Sequence, residues 1–311
     1  MTNTIVTTTT KVKTPTAIAL GNFDGIHRGH QVVLQPILSK SSPQNYASVV
    51  SFDPHPREFF TQQKLSLLTP EQEKADYLAT LGFQQLILIP FNRNLASLSP
   101  QDFVKQILVQ QLQTKIVSIG EDFRFGYQRK GTAKDLAAIA SQLSIEVYIN
   151  SLHKYRDNQQ QLVRVSSSLI RQALSAGEIK RANSMLGRSY TLTGQIVRGK
   201  QIGRTIGFPT ANLQVPLNKF LPRYGVYAVR VNYDTACISG VMNIGCRPTV
   251  KGELPTIEVH LLDWSGDLYG QTITVSLEAF LRTEQKFDSL ADLKQQISLD
   301  CQTAKSLLVN N

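Results

Sequence analysis

Histidine is scarce in this chain, with five in 311 residues, yet two of them fall in the decapeptide GNFDGIHRGH at positions 21–30. His27 and His30 are three apart, so on a helix they share a face and can donate together to phosphate oxygens. Gly21, Gly25 and Gly29 keep the segment lean, and Gly29 is expected to remove a Cβ that would block a phosphate's close approach. A helix starting here offers free backbone N–H groups and a partial positive charge, both of which favour an anion. Two histidines at this spacing also fit a metal pair, but no third His or Cys ligand stands nearby in the sequence.

The decapeptide needs a strand to deliver it and a helix to follow it. TAIALG (16–21), YASVVSF (46–52), QQLILIP (84–90), KIVSIG (115–120) and IEVYIN (145–150) are nearly continuous apolar runs, which read as strands buried on both faces. Helical patterns at 71–81, 101–112 and 133–143 alternate with them, the second opening on Ser99-Pro100, a cap residue with proline at the first helical position. This alternation, up to about residue 185, predicts a doubly wound parallel sheet, whose ligands bind beyond the carboxyl ends of the strands. Pro36 falls inside the helix expected after His30 and is expected to kink or shorten it.

From Tyr190 the rhythm changes. GVYAVRV (225–231), TIEVHLL (256–262) and TITVSLEAF (272–280) alternate apolar and polar residues, as half-buried antiparallel strands do. A closing helix is expected from near Ser289, with Leu290, Leu293, Ile297 and Ala304 on one face and Asp292 completing an S-x-x-D cap. The fold expected is an α/β doubly wound parallel-sheet domain over 14–183, then a small antiparallel β-barrel with a C-terminal helix over 184–311. SAGEIKRANSMLGRS (175–189) reads as a helical bridge between them.

The apolar share of 41 % with 18 % charged residues is that of a folded globular protein. Residues 1–183 hold 20 basic and 13 acidic side chains and the remainder 13 and 10, so the net charge of +10 is spread over both halves. No lysine-arginine block appears, which turns the reading from nucleic acid towards small anions such as nucleotides. Cys237, Cys246 and Cys301 are odd in number and widely spaced, unlike a disulfide framework or zinc ribbon. The start, MTNTIVTTTTKVKTPT, has no apolar core of a signal peptide, and no apolar run approaches the roughly 18 residues of a membrane span. A cytoplasmic protein without a membrane partner is expected, as a monomer or a weakly self-associating chain.

HxGH directly after a strand and glycine turn resembles the signature of the nucleotidyltransferases, in which similar histidines hold the triphosphate of ATP. The KMSKS-type loop that class I aminoacyl-tRNA synthetases pair with it is not found here. VSSSLIR (165–171) instead resembles the SSTxxR element of small-molecule adenylyltransferases. GNFDGIHRGH, SFDPHP (51–56), GEDFRFGYQRKG (120–131) and VSSSLIR stand in the order found in the FMN adenylyltransferase module of bacterial FAD synthetases. GRTIGFPTANL (203–213), GVMNIGCRPTV (240–250), TIEVHLLDW (256–264), DLYG (267–270) and FLRTEQKF (280–287) resemble the riboflavin kinase module fused to it. The departures are small: Ser168 where threonine is common, Thr132 where an acid often follows the glycine, and Pro36.

The resemblance implies two steps: riboflavin and ATP to FMN and ADP at the barrel, then FMN and ATP to FAD and pyrophosphate at the first domain. At the first site it implies catalytic roles for His27, His30 and Arg171, and ATP binding by Gly21, Phe23, Gly25, Gly29, Ser167 and Ser168. Two hydroxyls and an arginine at a helix start suit charge developing on a transferred phosphoryl group. Asp53 and His55 follow the second strand. Asp122, Phe123, Arg124 and Phe125 offer aromatic surface for an isoalloxazine and a guanidinium for the FMN phosphate. At the second site the loop with Gly199, Gly203 and Gly207 is expected to hold ATP, with Thr210 and Asn212 on Mg²⁺ and the phosphates, since a hard cation prefers oxygen ligands. Glu258 takes the place of the family's base, His260 is expected to be structural, and Arg282 is a candidate for the flavin. A chain with only one surviving activity, and a flavin- or nucleotide-binding regulator without turnover, are the rival readings.

Overall fold

The computed structural model describes residues 4–40, 42–151, 154–156, 162–199, 207–234, 236–249 and 252–309. The chain divides into two compact units, Met1–Ser167 and Ser168–Asn311. In the first, six strands form one parallel sheet: β1 (Ile5–Thr7), β2 (Thr16–Leu20), β3 (Tyr46–Asp53), β4 (Gln85–Pro90), β5 (Thr114–Gly120) and β8 (Glu146–Asn150), in the spatial order β1-β4-β3-β2-β5-β8. Two antiparallel hairpins complete the unit, β6 (Arg124–Phe125) with β7 (Gly131–Thr132) and β9 (Lys154–Arg156) with β10 (Leu162–Arg164).

All five expected strands form, and their continuous apolar runs have a simple cause. Ile18 and Leu20 face one apolar layer with Val104, Leu108 and Leu136, while Ala17 and Ala19 face the other with Leu34, Ile37 and Leu78. Both faces of the sheet are covered by helices, so neither parity of residue can be polar. β1 was not expected: three residues within a threonine-rich stretch carry too little pattern, and only pairing of Ile5 with Gln85 on β4 reveals it.

The helices of this unit are α1 (Arg28–Lys40), α2 (Pro56–Thr61), α3 (Glu71–Leu81), α4 (Arg93–Ser97), α5 (Pro100–Asp102) and α6 (Ala133–Ser141). After α5 the chain continues as a π-helix over Phe103–Gln111. Pro36 does not shorten α1, which runs four residues past it. Proline brings no N–H to the helix ladder, which takes the intrahelical donor from the Val32 carbonyl, while Ser118 Oγ on β5 donates to the neighbouring carbonyl of Val33 at 2.6 Å.

The second unit carries two helices where one bridge was expected, α7 (Ser167–Ala176, whose first residue belongs to the first unit) and α8 (Ile179–Leu186). Gly177 divides them with φ of +80°, and a Cβ there would lie 3.2 Å from the Phe280 ring. Asn183 ties α8 to the barrel, donating to Leu277 O at 2.9 Å and accepting from Tyr190 N at 2.8 Å. The expected boundary at 183/184 therefore cuts inside a helix that is bonded to the barrel.

Six strands close the barrel: β11 (Tyr190–Val197), β12 (Ala211–Gln214), β13 (Gly225–Tyr233), β14 (Ala236–Thr249), β15 (Gly252–Leu261) and β16 (Thr272–Arg282), in the order β11-β12-β15-β14-β13-β16. Along β15, Ile257, Val259 and Leu261 are buried and Thr256, Glu258 and His260 are not, as the alternation predicts. β13 is buried on both faces because helix α9 (Leu290–Val309) packs Cys301, Ala304 and Leu308 against Val226 and Ala228. Ser289 caps α9 as expected, but Leu290 departs from the expected buried stripe: the first turn stands in solvent and Leu290 is 65 % exposed.

Burial, followed by the nearby charge of Asp300, pushes the Cys301 thiol up to about 11, whereas Cys237 is exposed. At pH 8 such a thiol is thiolate in only about one molecule in 10³. A thiol reagent at pH 8 is therefore expected to label Cys237 first and Cys301 only once denaturant opens the barrel, read by peptide mass. Equal labelling of both in the folded chain would contradict this packing.

Candidate active sites

The first site is a tight turn between β2 and α1. Phe23, Gly25 and Ile26 all take positive φ, at 48°, 89° and 40°. For Phe23 and Ile26 this backbone is strained, and what holds it is packing, since both side chains lie fully inside the apolar layer under the sheet. Phe23 thus brings its ring to the core, and any part it plays in nucleotide binding falls to its backbone. Asp24, also buried, accepts from Thr69 N at 3.1 Å through Oδ1, and Gly25 N donates to Thr69 Oγ1 at 2.9 Å.

The two histidine rings stack at 3.6 Å with 14° between their planes. His30 N donates to His27 O at 2.7 Å and reaches His27 Nδ1 at 3.2 Å, which fixes the first turn of α1. Parallel rings suit neighbouring oxygens of one polyphosphate better than the converging ligands of a tetrahedral metal. Among the described residues no group of three His, Cys, Asp or Glu is arranged to hold a metal ion. Gly29 has a nearer reason than the one expected: a Cβ there would lie 3.1 Å from His27 Cε1, so glycine first makes room for the imidazole.

The start of VSSSLIR, within the first unit, meets the turn in space. Ser167 Oγ donates to Asp24 O at 2.8 Å. Ser168 and Arg171 lie in the second unit, where the Arg171 guanidinium sits 5.8 Å from the Phe220 ring centre.

Asp53 ends β3, and its carbonyl accepts from Phe91 N at 2.8 Å. His55 caps α2, its Nδ1 accepting from Arg57 N at 3.0 Å while the Glu58 carboxylate accepts from His55 N. Around this helix Phe52, Phe59, Phe60 and Phe91 pack edge to face with ring centres 5.3 to 5.8 Å apart, and Phe60 is 67 % exposed. That open aromatic surface escaped the sequence reading, which looked to EDFRFG. There Phe125 is core, stacked on Phe123 at 5.7 Å, Asp122 is ion-paired with Arg164, and Arg124 stands exposed.

In the barrel Asn212, Glu258 and Asn243 are direct cross-strand neighbours on β12, β15 and β14. Thr210 Oγ1 lies 3.4 Å from Glu258 Oε2. Gly199 lies so close to Asn212 that any Cβ would overlap that amide, and Gly207 has φ of +88°. Gly203 lies outside the described residues. His260 is held by Pro209 O at 2.8 Å and by the edge of Phe208, as befits a structural residue. Gly245 leaves space that the Glu284 carboxylate fills beside Asn243, two polar residues that sequence reasoning missed. Arg282 is engaged by Asp300, which accepts from its Nε at 3.0 Å and from its second terminal nitrogen at 2.8 Å. This part-buried pair anchors α9 to the end of β16, and it occupies the guanidinium proposed for the flavin.

Residues 9–168 match the family model described as FAD synthetase, and residues 186–308 match the one described as riboflavin kinase. The bifunctional riboflavin kinase/FMN adenylyltransferase of Escherichia coli K12 is 41 % identical over 93 % of this chain and 91 % of its own length. The chain belongs to the bifunctional riboflavin kinase/FMN adenylyltransferase family. The Haemophilus influenzae relative of the same description is 38 % identical, covering 93 % of each chain. A solved structure described as a macrolide-efflux protein from Streptococcus pneumoniae is similar over 98 % of this chain and 97 % of its own, with TM-score 0.81 and 29 % identity. That likeness extends the shared fold across both units of this FAD synthetase family member, and the efflux description belongs to that protein.

The contact of Gly199 with Asn212 yields a test. Gly199→Ala is expected to displace the Asn212 amide and lower riboflavin phosphorylation about 10-fold or more, by loss of a positioned polar group, with FAD formation from supplied FMN unchanged. Unaltered FMN formation from riboflavin would show that Asn212 has no part in the phosphorylation.

Proposed function

We propose that the barrel transfers the γ-phosphoryl group of ATP to riboflavin and that the turn between β2 and α1 then directs adenylyl transfer from a second ATP to the resulting FMN. The observation that supports this reading is convergence: motif residues far apart in sequence meet within each unit, Ser167 on Asp24 in one and Thr210 with Asn212 on Glu258 in the other.

At the barrel, Glu258 accepts the proton of the riboflavin hydroxyl as its oxygen attacks the γ-phosphorus and ADP leaves. Thr210 and Asn212 present hydroxyl and amide oxygens, the donor chemistry a hard cation takes, and these two would hold Mg²⁺. The ion's contribution there is neutralisation of the triphosphate. Asn243 and Glu284 extend the polar row beside Glu258.

At the turn, an FMN phosphate oxygen attacks the α-phosphorus of ATP and pyrophosphate leaves. No covalent intermediate on the protein is needed, so the site acts by positioning and charge stabilisation. The stacked imidazoles and the N–H groups opening α1 meet the charge growing on pyrophosphate, and the Ser167 hydroxyl, held on the Asp24 carbonyl, stands beside them. The phenylalanines around α2 offer an isoalloxazine the exposed aromatic face that Phe125 lacks. Among the described residues no helix is long and apolar enough to cross a membrane. With small-molecule substrates on both units we read the protein as a cytoplasmic enzyme with no nucleic-acid partner, a monomer or weakly self-associating.

Two substitutions test the division of labour, with flavins separated after incubation with riboflavin, ATP and Mg²⁺. Glu258→Gln is expected to lower FMN formation by about 10²–10⁴-fold, the usual contribution of a base, and to leave conversion of supplied FMN to FAD intact. His30→Ala is expected to lower FAD formation by about 10²–10³-fold, the effect of losing one preorganised donor, so that FMN accumulates. Wild-type kinase rates in the first variant, or wild-type FAD formation in the second, would overturn the corresponding assignment.

A further inference from the structure

Lys74 is the least expected residue near the turn. It lies on α3 in EQEKADYL, where a lysine ordinarily points to water, yet it is only 7 % exposed. Lysine is almost never buried unless something holds its charge. Here Nζ donates to the main-chain carbonyl of Asn22 at 3.1 Å. Ser51 Oγ, from β3, donates to the same carbonyl at 3.1 Å. Burial holds the Lys74 ammonium below its ordinary pKa, opposed by the carboxylates of Asp24, Glu71 and Asp53.

Two donors on one carbonyl fix the plane of the 22–23 peptide. In a trans peptide the C=O and N–H point in opposite directions, so anchoring Asn22 O on Lys74 and Ser51 aims the Phe23 N–H away from them. Local preference runs the other way. Phe23 has φ of 48°, and turning the 22–23 peptide over would bring that angle to about −130°, in the ordinary extended region. The observed orientation is therefore held against local preference, by the grip on the carbonyl together with the packing of the Phe23 ring in the core. Successive N–H groups beside left-handed residues form the concave cradle that anions occupy.

We propose that Lys74 is a positioning residue for adenylyl transfer: together with Ser51 it holds the 22–23 peptide so that the Phe23 N–H faces the nucleotide phosphates. This rests on the reading that the turn holds ATP. Lys74 itself touches no substrate and acts through the backbone of the loop above it.

The test uses the full chain, with its own riboflavin phosphorylation as internal control. Lys74→Met keeps the apolar stem and removes the donor. The expected result is a rise of about 10-fold or more in KM for ATP in FAD formation, the effect of losing one hydrogen bond to a charged group. KM for FMN should stay within twofold and kinase activity should be unchanged. A merely structural lysine would instead raise both KM values together, and that outcome, or an unchanged KM for ATP, overturns the proposal. Ser51→Ala, which removes one small donor from the same carbonyl, carries the same test if Lys74→Met does not fold, with a several-fold rise in KM for ATP alone expected. His30→Ala is run alongside. FAD formation surviving it would overturn the underlying reading of the turn. FAD formation lost in it but unaffected by the other two substitutions would overturn the role of Lys74 alone.

Discussion

Asp24 ties two distant segments to its own turn. Its carboxylate accepts from Thr69 N, its carbonyl accepts from Ser167 Oγ, and the next residue donates from Gly25 N to Thr69 Oγ1. A buried turn with three left-handed residues would not keep its shape on local preference, because Phe23 and Ile26 lose by it. The side chains of those two residues, sunk into the core, and the bonds around Asp24 over-determine the loop. The stacked histidines inherit their place from it, since α1 starts where the turn lets it start. The first site is thus a consequence of a backbone forced into one conformation from below and from both sides.

The barrel reaches a comparable end by other means. Glu258 needs no unusual backbone, because register alone sets it between Asn212 and Asn243. What must be enforced is closeness, and the absence of a Cβ at Gly199 and at Gly245 permits the approach of Asn212 and Glu284. A part-buried ion pair serves the scaffold: Arg282 and Asp300 lock α9 onto β16, with Gln296 as a further donor to the carboxylate. Removing one partner of such a pair is strongly destabilising, whereas the pair itself adds little net stability.

Much of this was legible in the sequence, for identifiable reasons. The strands of the parallel sheet announce themselves because helices cover both faces, and β15 announces itself because only one face is covered. The residues of the turn and of the Thr210–Asn212–Glu258 cluster stood out by resemblance, and the structure brings the members of each together within its own unit. What stayed hidden depends on contacts across the fold. Lys74 reads as an ordinary surface lysine until β3 and the turn are seen to close over it. Phe52, Phe59, Phe60 and Phe91 are spread over forty positions and meet only at the carboxyl ends of β3 and β4. Arg282 looked available because its partner lies on a helix 18 residues further along. Phe125 looked exposed because a short hairpin gives no alternation from which to read its facing.

The central claim is that one chain directs attack by its flavin substrates on two different phosphorus atoms of ATP, the γ-phosphorus at the barrel and the α-phosphorus at the turn. Labelled ATP tests this most directly, with riboflavin as the only flavin supplied. With label on the γ-phosphorus, the account predicts labelled FMN and labelled FAD; with label on the α-phosphorus, it predicts labelled FAD and unlabelled FMN. FMN carrying the α-label, or FAD free of it, would contradict the account.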